Sequence, residues 1–226
     1  MNILVTGAGR GIGLGFAQHY LKQGHSVYAC YRTESARLNA LADQYNELNL
    51  LKWDVTQPAS DLLLSALPEH IDLIINNAGI YGPKKDGQSL EKISAEAMHD
   101  VYDINCVAPL RVVQTLQHKL VRPGGIIANI SSKMGSSGDN SSGGTYAYRA
   151  AKAALVIISK SMAVDLQDQG ISVITLHPGW VRTDMVGFTG LVDVSESVEG
   201  MASVIENIDS YGPGDFIAFD GKRVPY

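Results

Sequence analysis

The chain has 226 residues, of which 45% are apolar and 18% charged, and its formal net charge is −5. This composition is typical of one compact globular domain, which we expect to span residues 1–226, and the lack of a basic run disfavours a nucleic-acid partner. No apolar run approaches the ~20 residues that cross a bilayer. The run that holds the first predicted strand begins at residue 2, which leaves no room for a signal peptide, so we expect a cytoplasmic protein without a membrane partner.

Cysteine and histidine spacing gives no sign of a metal site or a disulfide framework. The two cysteines, Cys30 and Cys106, lie far apart in the sequence, and the six histidines are not spaced as metal ligands are. Both cysteines are predicted to be ordinary core thiols.

Short apolar segments alternate with helical patterns from one end of the chain to the other. The predicted strands are residues 3–5, 26–30, 48–52, 73–75, 125–130, 172–176 and 216–219. The predicted helices are residues 13–22, 34–45, 60–67, 94–120, 146–167 and 197–208. Parallel strands that are buried on both faces have this pattern of short apolar runs joined by helices. We therefore expect a single-domain α/β Rossmann fold, with a doubly wound seven-stranded parallel sheet flanked by helices.

A glycine-rich turn follows the first predicted strand and opens the first helix. Its sequence is Thr6-Gly7-Ala8-Gly9-Arg10-Gly11-Ile12-Gly13, with the spacing T-G-x-x-x-G-x-G. Glycines let backbone amides approach a phosphate, and the helix N-terminus adds partial positive charge. A tight packing turn without a ligand is the alternative, but the strand–turn–helix context favours binding of a dinucleotide pyrophosphate.

Two arginines lie where the phosphates of such a nucleotide would bind. Arg10 is inside the turn, and Arg32 ends the second predicted strand, where an acidic residue would bind the ribose hydroxyls of NAD. A guanidinium at this place attracts a 2′-phosphate instead. The two residues together predict NADP(H) and disfavour NAD, although either arginine alone could be a solvated surface charge.

Three further segments follow predicted strands, and each has two interpretations. Asp54, in Asp54-Val55, could accept a hydrogen bond from the adenine amino group or cap the next helix. Asn76-Asn77-Ala78-Gly79 suits close approach of a nucleotide or an ordinary turn. Residues 135–144 contain eight Gly or Ser in ten positions and could form a flexible linker or, preferably, a mobile wall of a substrate site.

The chemistry is predicted from Tyr148 and Lys152, which are four residues apart on a strong helical pattern and therefore share a face. A phenol with a pKa of ~10 exchanges protons poorly near neutrality, and an adjacent ammonium would lower that pKa. Tyr148 could then donate a proton to a carbonyl oxygen or accept one from an alcohol. A surface Tyr–Lys pair is the alternative, which the nucleotide turn in the same chain disfavours.

Two other polar positions complete the candidate site. A hydroxyl of Ser131-Ser132, after the fifth predicted strand, could hold and polarise the substrate oxygen, or simply end the strand. Asn105 lies inside a long predicted helix, where asparagine is unfavourable, and could anchor a water that delivers protons to Lys152.

Taken together, these motifs resemble the short-chain dehydrogenase/reductase family over essentially the whole chain and in the family's order, with Pro178-Gly179 as the last. The resemblance implies a catalytic tetrad, whose members are Asn105, Ser132, Tyr148 and Lys152. It also implies that Lys152 contacts the nicotinamide ribose and that Pro178 through Thr183, including Gly179 and Val181, lies along the nicotinamide. Family members are usually dimeric or tetrameric, so a homodimer or homotetramer is expected.

A narrower resemblance indicates the substrate class. Residues 145–149, 177–185 and 219–226 are similar to the C-factor and sniffer-like carbonyl reductase branch. The segment after Thr183 is short, which implies a small lid and an open pocket. The resemblance implies a reversible NADPH-dependent reductase of small carbonyl compounds. A non-catalytic NADP-binding regulator on the same scaffold is the alternative, and the lack of G-x-S-x-G disfavours a hydrolase.

Overall fold

Seven parallel strands form one sheet, as the sequence predicted, in a computed structural model that describes residues 1–226. The strands are β1 (Asn2–Thr6), β2 (Ser26–Tyr31), β3 (Leu48–Lys52), β4 (Leu73–Asn76), β5 (Ile126–Ile130), β6 (Ser172–His177) and β7 (Phe216–Ala218). Their order is β3-β2-β1-β4-β5-β6-β7, and every neighbouring pair is parallel. The strand order reverses at β1, between β2 and β4, which opens a crevice at the carboxyl ends of these strands.

Helices cover both faces of the sheet and divide the core into two layers. They are α1 (Gly11–Lys22), α2 (Ala36–Ala42), α3 (Asp61–Ala66), α4 (Ala95–Tyr102), α5 (Ala108–Leu116), α6 (Tyr146–Leu166) and α7 (Val194–Glu206). Successive strand side chains point to opposite faces, so Ile3 and Val5 pack in one buried cluster and Leu4 in the other. None of the helices combines the length and the apolar character that a membrane crossing requires.

The predicted helix over residues 94–120 is helical from residue 95 to residue 119, but its α-helical hydrogen bonding is interrupted. A π-helical turn, Asp103–Val107, separates α4 from α5. At its centre the Asn105 side chain accepts a hydrogen bond from the amide of Ile80 and donates one to the Ile80 carbonyl, both 2.8 Å long. The π-helical turn directs the Asn105 side chain toward the loop after β4. Such turns often lie at functional sites.

Local capping explains where α2 begins. The second predicted helix began at residue 34, but α2 begins at Ala36 because the Ser35 hydroxyl caps it by accepting from the amide of Leu38.

Cys30 and Cys106 are buried free thiols, and no group of three or more His, Cys, Asp or Glu side chains converges as metal ligands would.

Candidate active site

The Thr6 side chain ties the glycine turn to the segment after β4. Its hydroxyl accepts hydrogen bonds from the amides of Asn77 and Ala78, each at 3.0 Å. The Asn77 amide group donates back to the carbonyls of Thr6, at 3.0 Å, and Gly7, at 3.3 Å. The segment after β4 is thus held against the glycine turn and is not itself an ordinary turn, and the close approach of a nucleotide there stays a prediction.

Two glycines of the turn are required by its geometry. Gly7 has a φ of +65°, a backbone conformation that favours glycine. At Gly13 a Cβ would lie 2.4 Å from the Gly7 carbonyl oxygen, so the first turn of α1 packs directly on the glycine turn. No side chain caps the N-terminus of α1, and no acidic residue lies in its first turn. Its amides and its dipole therefore face the crevice, ready for an anion.

A cleft of about 640 Å³ runs along the carboxyl edge of the sheet from β3 to β4. The predicted cofactor residues that line it are Gly7, Gly9, Arg10, Gly11, Ile12, Arg32, Asp54, Val55, Asn77, Ala78, Gly79 and Thr183. The volume is within the usual range for small-molecule sites. The fold thus places most of the predicted cofactor residues on one surface.

Three arginines line this cleft, one more than the sequence analysis named. Arg10, Arg32 and Arg37 all face it, and all three are exposed. The salt bridges of the protein use other arginines. Arg37 lies in the first turn of α2, which is held against the glycine turn because the Ser35 hydroxyl donates to the Gly9 carbonyl at 2.5 Å. A helix N-cap serine soon after Arg32 was the sequence signal for the start of α2, but its contact with Gly9, which brings Arg37 to the cleft, leaves no such signal.

Asp54 lines the cleft but does not cap the following helix, since the N-cap of α3 is Ser60. Its Oδ1 accepts hydrogen bonds from the Thr56 amide, at 3.0 Å, and hydroxyl, at 2.8 Å. Partial burial raises the pKa of Asp54, but the Thr56 hydrogen bonds and the charges of Arg32 and Arg111 outweigh it, so the pKa lies below its usual value. Helix capping is therefore the wrong alternative, and the contact with adenine stays a prediction.

Most of the segment from Pro178 to Thr183 does not line the cleft. The Pro178 carbonyl accepts a hydrogen bond from the buried Ser197 hydroxyl at 2.6 Å. Gly179 has a φ of +85°, and Val181 is buried. Of the residues predicted in this segment, only Thr183 lines the cleft.

Tyr148 is half-buried near the start of α6, with the Nζ of Lys152 at 5.8 Å from the centre of its ring. Burial raises the pKa of Tyr148 to about 12, the Ser132 hydroxyl opposes this rise, and Tyr81 adds to it. The sequence argument predicted a lowered pKa for this phenol. That prediction is wrong for the protein's own groups, because loss of hydration has the largest effect on this pKa and only the Ser132 hydroxyl opposes it.

The Lys152 ammonium is buried and is held by the end of β5. It donates a hydrogen bond of 2.7 Å to the carbonyl of Ile130. Burial lowers the pKa of Lys152 to about 8, partly opposed by Cys106. An ammonium has three donors, so two remain for other partners. Lys152 therefore sits near its titration point at physiological pH.

The two serines after β5 have different partners. The Ser131 hydroxyl donates to the Lys152 carbonyl at 2.8 Å. The Ser132 hydroxyl accepts a hydrogen bond from the Met134 amide at 3.2 Å. It also lowers the pKa of the Tyr148 phenol, against the effect of burial. The first serine therefore supports the helix that carries the lysine, and the second faces the tyrosine.

Asn105 lies close to Lys152, but both ends of its amide group bond the backbone of Ile80. A Cβ on Gly79 would lie 3.0 Å from the Asn105 Oδ1 and 3.6 Å from the Lys152 Nζ. Gly79 also lines the cleft. The asparagine, the lysine and the end of the cleft thus meet around one glycine.

A second cavity of about 450 Å³ adjoins the cleft and shares Arg10, Gly79, Ile80, Asp184 and Met185 with it. The loop of residues 79–84 forms one wall. Residues 135–144, which the sequence favoured as a wall, line neither cavity. Instead Arg149 donates to Ser142 at 2.9 Å, and Gly138 packs near Pro225, because this loop folds onto α6 and the end of the chain.

Comparison with known proteins gives consistent matches across the chain. A family model described as short chain dehydrogenase matches residues 1–190. The C-signal of Myxococcus xanthus is 38% identical over 158 residues, which are 69% of this chain and 93% of that protein.

Solved structures match over the full length. The NADPH-bound carbonyl reductase from chicken fatty liver has a TM-score of 0.88 and 33% identity, and the match covers 100% of this chain and 98% of that chain. The carbonyl reductase Sniffer of D. melanogaster has a TM-score of 0.88 and 28% identity, covering 100% of this chain and 99% of that chain.

Proposed function

The chain belongs to the short-chain dehydrogenase family, and we propose that within it the protein is an NADPH-dependent reductase of small aldehydes or ketones. One observation carries the proposal. A cleft lined by three arginines outside the protein's salt bridges ends at Gly79, beside the buried ammonium of Lys152, which in turn lies near a half-buried phenol. An anionic dinucleotide fits such a cleft, and proton transfer suits such a pair.

The choice of NADPH rests on charge. The exposed guanidinium groups of Arg10, Arg32 and Arg37 would bind the 2′-phosphate that distinguishes NADPH from NADH. The NADPH-bound state of the chicken carbonyl reductase supports this choice, since that protein matches the whole chain. When bound, NADPH supplies the hydride for the carbonyl carbon.

The protein's residues would supply the proton and hold the substrate oxygen. With its pKa raised to about 12, the Tyr148 phenol keeps its proton at neutral pH, which is the form that reduction needs. The Ser132 hydroxyl would orient the carbonyl oxygen toward that phenol. Lys152 would bind the ribose with its two remaining donors and stabilise negative charge developing on Tyr148. Asn105 would hold Ile80, and so the end of the cleft, in place.

We propose that residues 1–226 act as one domain in a homodimer or homotetramer. Ile157 and Val164, on one face of α6, are 51% and 59% exposed, which supports contact of this face with a second copy.

The experiment is a panel of aldehydes, ketones and quinones, with NADPH oxidation followed by absorbance. Wild type should reduce at least one class. Tyr148→Phe should lose about 10²–10⁴-fold in kcat while NADPH affinity is unchanged. Tyr146→Phe, an exposed tyrosine on the same helix, is the matched control and should behave as wild type.

A second outcome would favour the regulatory alternative. The match to the C-signal of Myxococcus xanthus is the observation behind it. If wild type binds NADPH tightly and reduces no compound of the panel, the reductase proposal is wrong and a non-catalytic NADP-binding protein is the better interpretation.

A further inference from the structure

Gln88 is a buried polar residue outside the known motifs, with only 3% of its surface exposed. Its Nε2 donates hydrogen bonds to the carbonyls of Tyr81, at 2.7 Å, and Pro83, at 3.2 Å. Its Oε1 accepts from the amide of Tyr148 at 3.0 Å. One carboxamide thus joins the wall of the second cavity to the backbone of the candidate catalytic tyrosine.

The start of α6 lacks the usual local cap, which explains why an outside acceptor is needed. Thr145, at the N-cap position, has a φ of +53° and its side chain accepts no hydrogen bond from the helix. The first amides of a helix have no partner within it. Gln88 supplies two acceptors, since its carbonyl accepts from the Tyr146 amide at 3.5 Å and its side chain accepts from Tyr148. Gln88 therefore caps α6 from a distant part of the chain.

The same residue fixes the aromatic neighbour of Tyr148. The rings of Tyr81 and Tyr148 are 5.2 Å apart with an interplanar angle of 38°. The Tyr81 hydroxyl also lies 3.3 Å from the Thr145 hydroxyl. Gln88 holds the Tyr81 carbonyl as well as the Tyr148 amide, so one side chain links the backbone atoms of the two residues whose rings are in contact.

We propose that Gln88 is a positioning residue, which holds Tyr148 against Tyr81, a residue of the second cavity, so that the phenol meets a substrate oxygen in the correct orientation. Its kinetic consequence rests on the proposed reductase function, whereas its structural consequence does not. Gln88 does not line the arginine cleft, so cofactor binding should not depend on it. Misplacing a reacting group by about 1 Å can cost 10²-fold in rate, so an effect on kcat is expected.

The test compares Gln88→Met, which keeps the length of the side chain and removes its hydrogen bonds, with Gln114→Met at an exposed position of α5. Gln88→Met should lower kcat about tenfold or more while NADPH affinity stays within about twofold. Hydrogen exchange of the first turn of α6, including the Tyr148 amide, should become about tenfold faster. Gln114→Met should change none of these quantities.

A conservative variant gives a signature that a purely structural role would not show. Gln88→Glu places a carboxyl in a buried site, which raises its pKa. The protonated carboxyl has one acceptor and one donor, whereas the ionised form has no donor. The kcat of Gln88→Glu should therefore recover as pH falls through that pKa, which adds a limb to the one near pH 8 that Lys152 gives wild type and Gln88→Met.

Two results would overturn the inference. One is unchanged hydrogen exchange at the start of α6 in Gln88→Met. The other is a fall in NADPH affinity as large as the fall in kcat, which would mean that the substitution damages the cofactor cleft and does not act on the position of Tyr148. If wild type reduces no carbonyl, the reductase proposal fails, and the hydrogen-exchange comparison still decides whether Gln88 positions Tyr148.

Discussion

The cofactor cleft and the catalytic pair use charge in opposite ways. In the cleft, Arg10, Arg32 and Arg37 are exposed to solvent. In the catalytic pair, burial holds the pKa of Tyr148 at about 12 and that of Lys152 at about 8. The cleft therefore attracts an anion through accessible charge, which salt screens, whereas the pair depends on loss of hydration. Changes in the cleft should alter affinity, and changes in the pair should alter rate and pH dependence.

The largest effect should come from breaking the catalytic pair. Lys152→Met removes the ammonium near the phenol and should lower kcat by about 10²–10⁴-fold. In wild type, the rate of reduction should fall as pH rises through about 8, because the buried ammonium then loses its proton. Rate measurements from pH 6 to 10 should show that this alkaline limb is absent from Lys152→Met.

A lysine on the exposed side of the same helix provides the control for that variant. The Lys160 ammonium donates to the carbonyl of Pro213 and lies away from the site. Lys160→Met should keep the wild-type rate and alkaline limb. An alkaline limb that persists in Lys152→Met would mean that another group controls the pH dependence.

The cleft is tested by removing one guanidinium. Arg32→Ala should weaken NADPH binding about tenfold, leave NADH binding unchanged and keep kcat at saturating NADPH. Affinity for NADPH should fall with ionic strength in wild type and fall less steeply in the variant. Fluorescence titration at several salt concentrations measures both effects.

Arg122→Ala makes the same change of charge at an exposed position outside the cleft. It should leave NADPH affinity nearly unchanged. Equal losses for NADPH and NADH in Arg32→Ala would contradict a contact with the 2′-phosphate and would indicate damage to the cleft.

The smallest expected effect is on the free energy of unfolding, and it tests the burial of His177. Burial, together with the Lys133 charge, lowers the pKa of His177 to about 4, against the opposing charges of Asp139 and Asp220. An unfolded histidine has a pKa of ~6.5, so between pH 6.5 and 4 the unfolded state binds more protons than the folded state. The free energy of unfolding should therefore decrease as pH falls through this window.

His177→Asn should flatten that pH dependence by on the order of 1 kcal/mol, as measured by denaturant unfolding at pH 4.5 and 7. His70→Asn, at an exposed position, should retain the wild-type slope. A wild-type slope in His177→Asn as well would assign the pH dependence to other groups.

The structure differs from the sequence predictions mainly where a contact between residues far apart in the chain sets the local structure. The long helix is interrupted at Asn105 because its amide bonds Ile80, which lies 25 residues earlier in the chain. Arg37 reaches the cleft because Ser35 holds α2 against the glycine turn. Neither contact leaves a periodic pattern in the sequence, so neither could be predicted from it.

The sequence by itself determined the seven-stranded parallel sheet, the glycine turn and the shared face of Tyr148 and Lys152, because periodicity and close spacing act over short stretches of chain. The tertiary structure alone decided which polar groups lose their hydration and which backbone atoms they meet. That is why the raised pKa of Tyr148 and the link through Gln88 required the folded chain: burial depends on segments that are far apart in sequence.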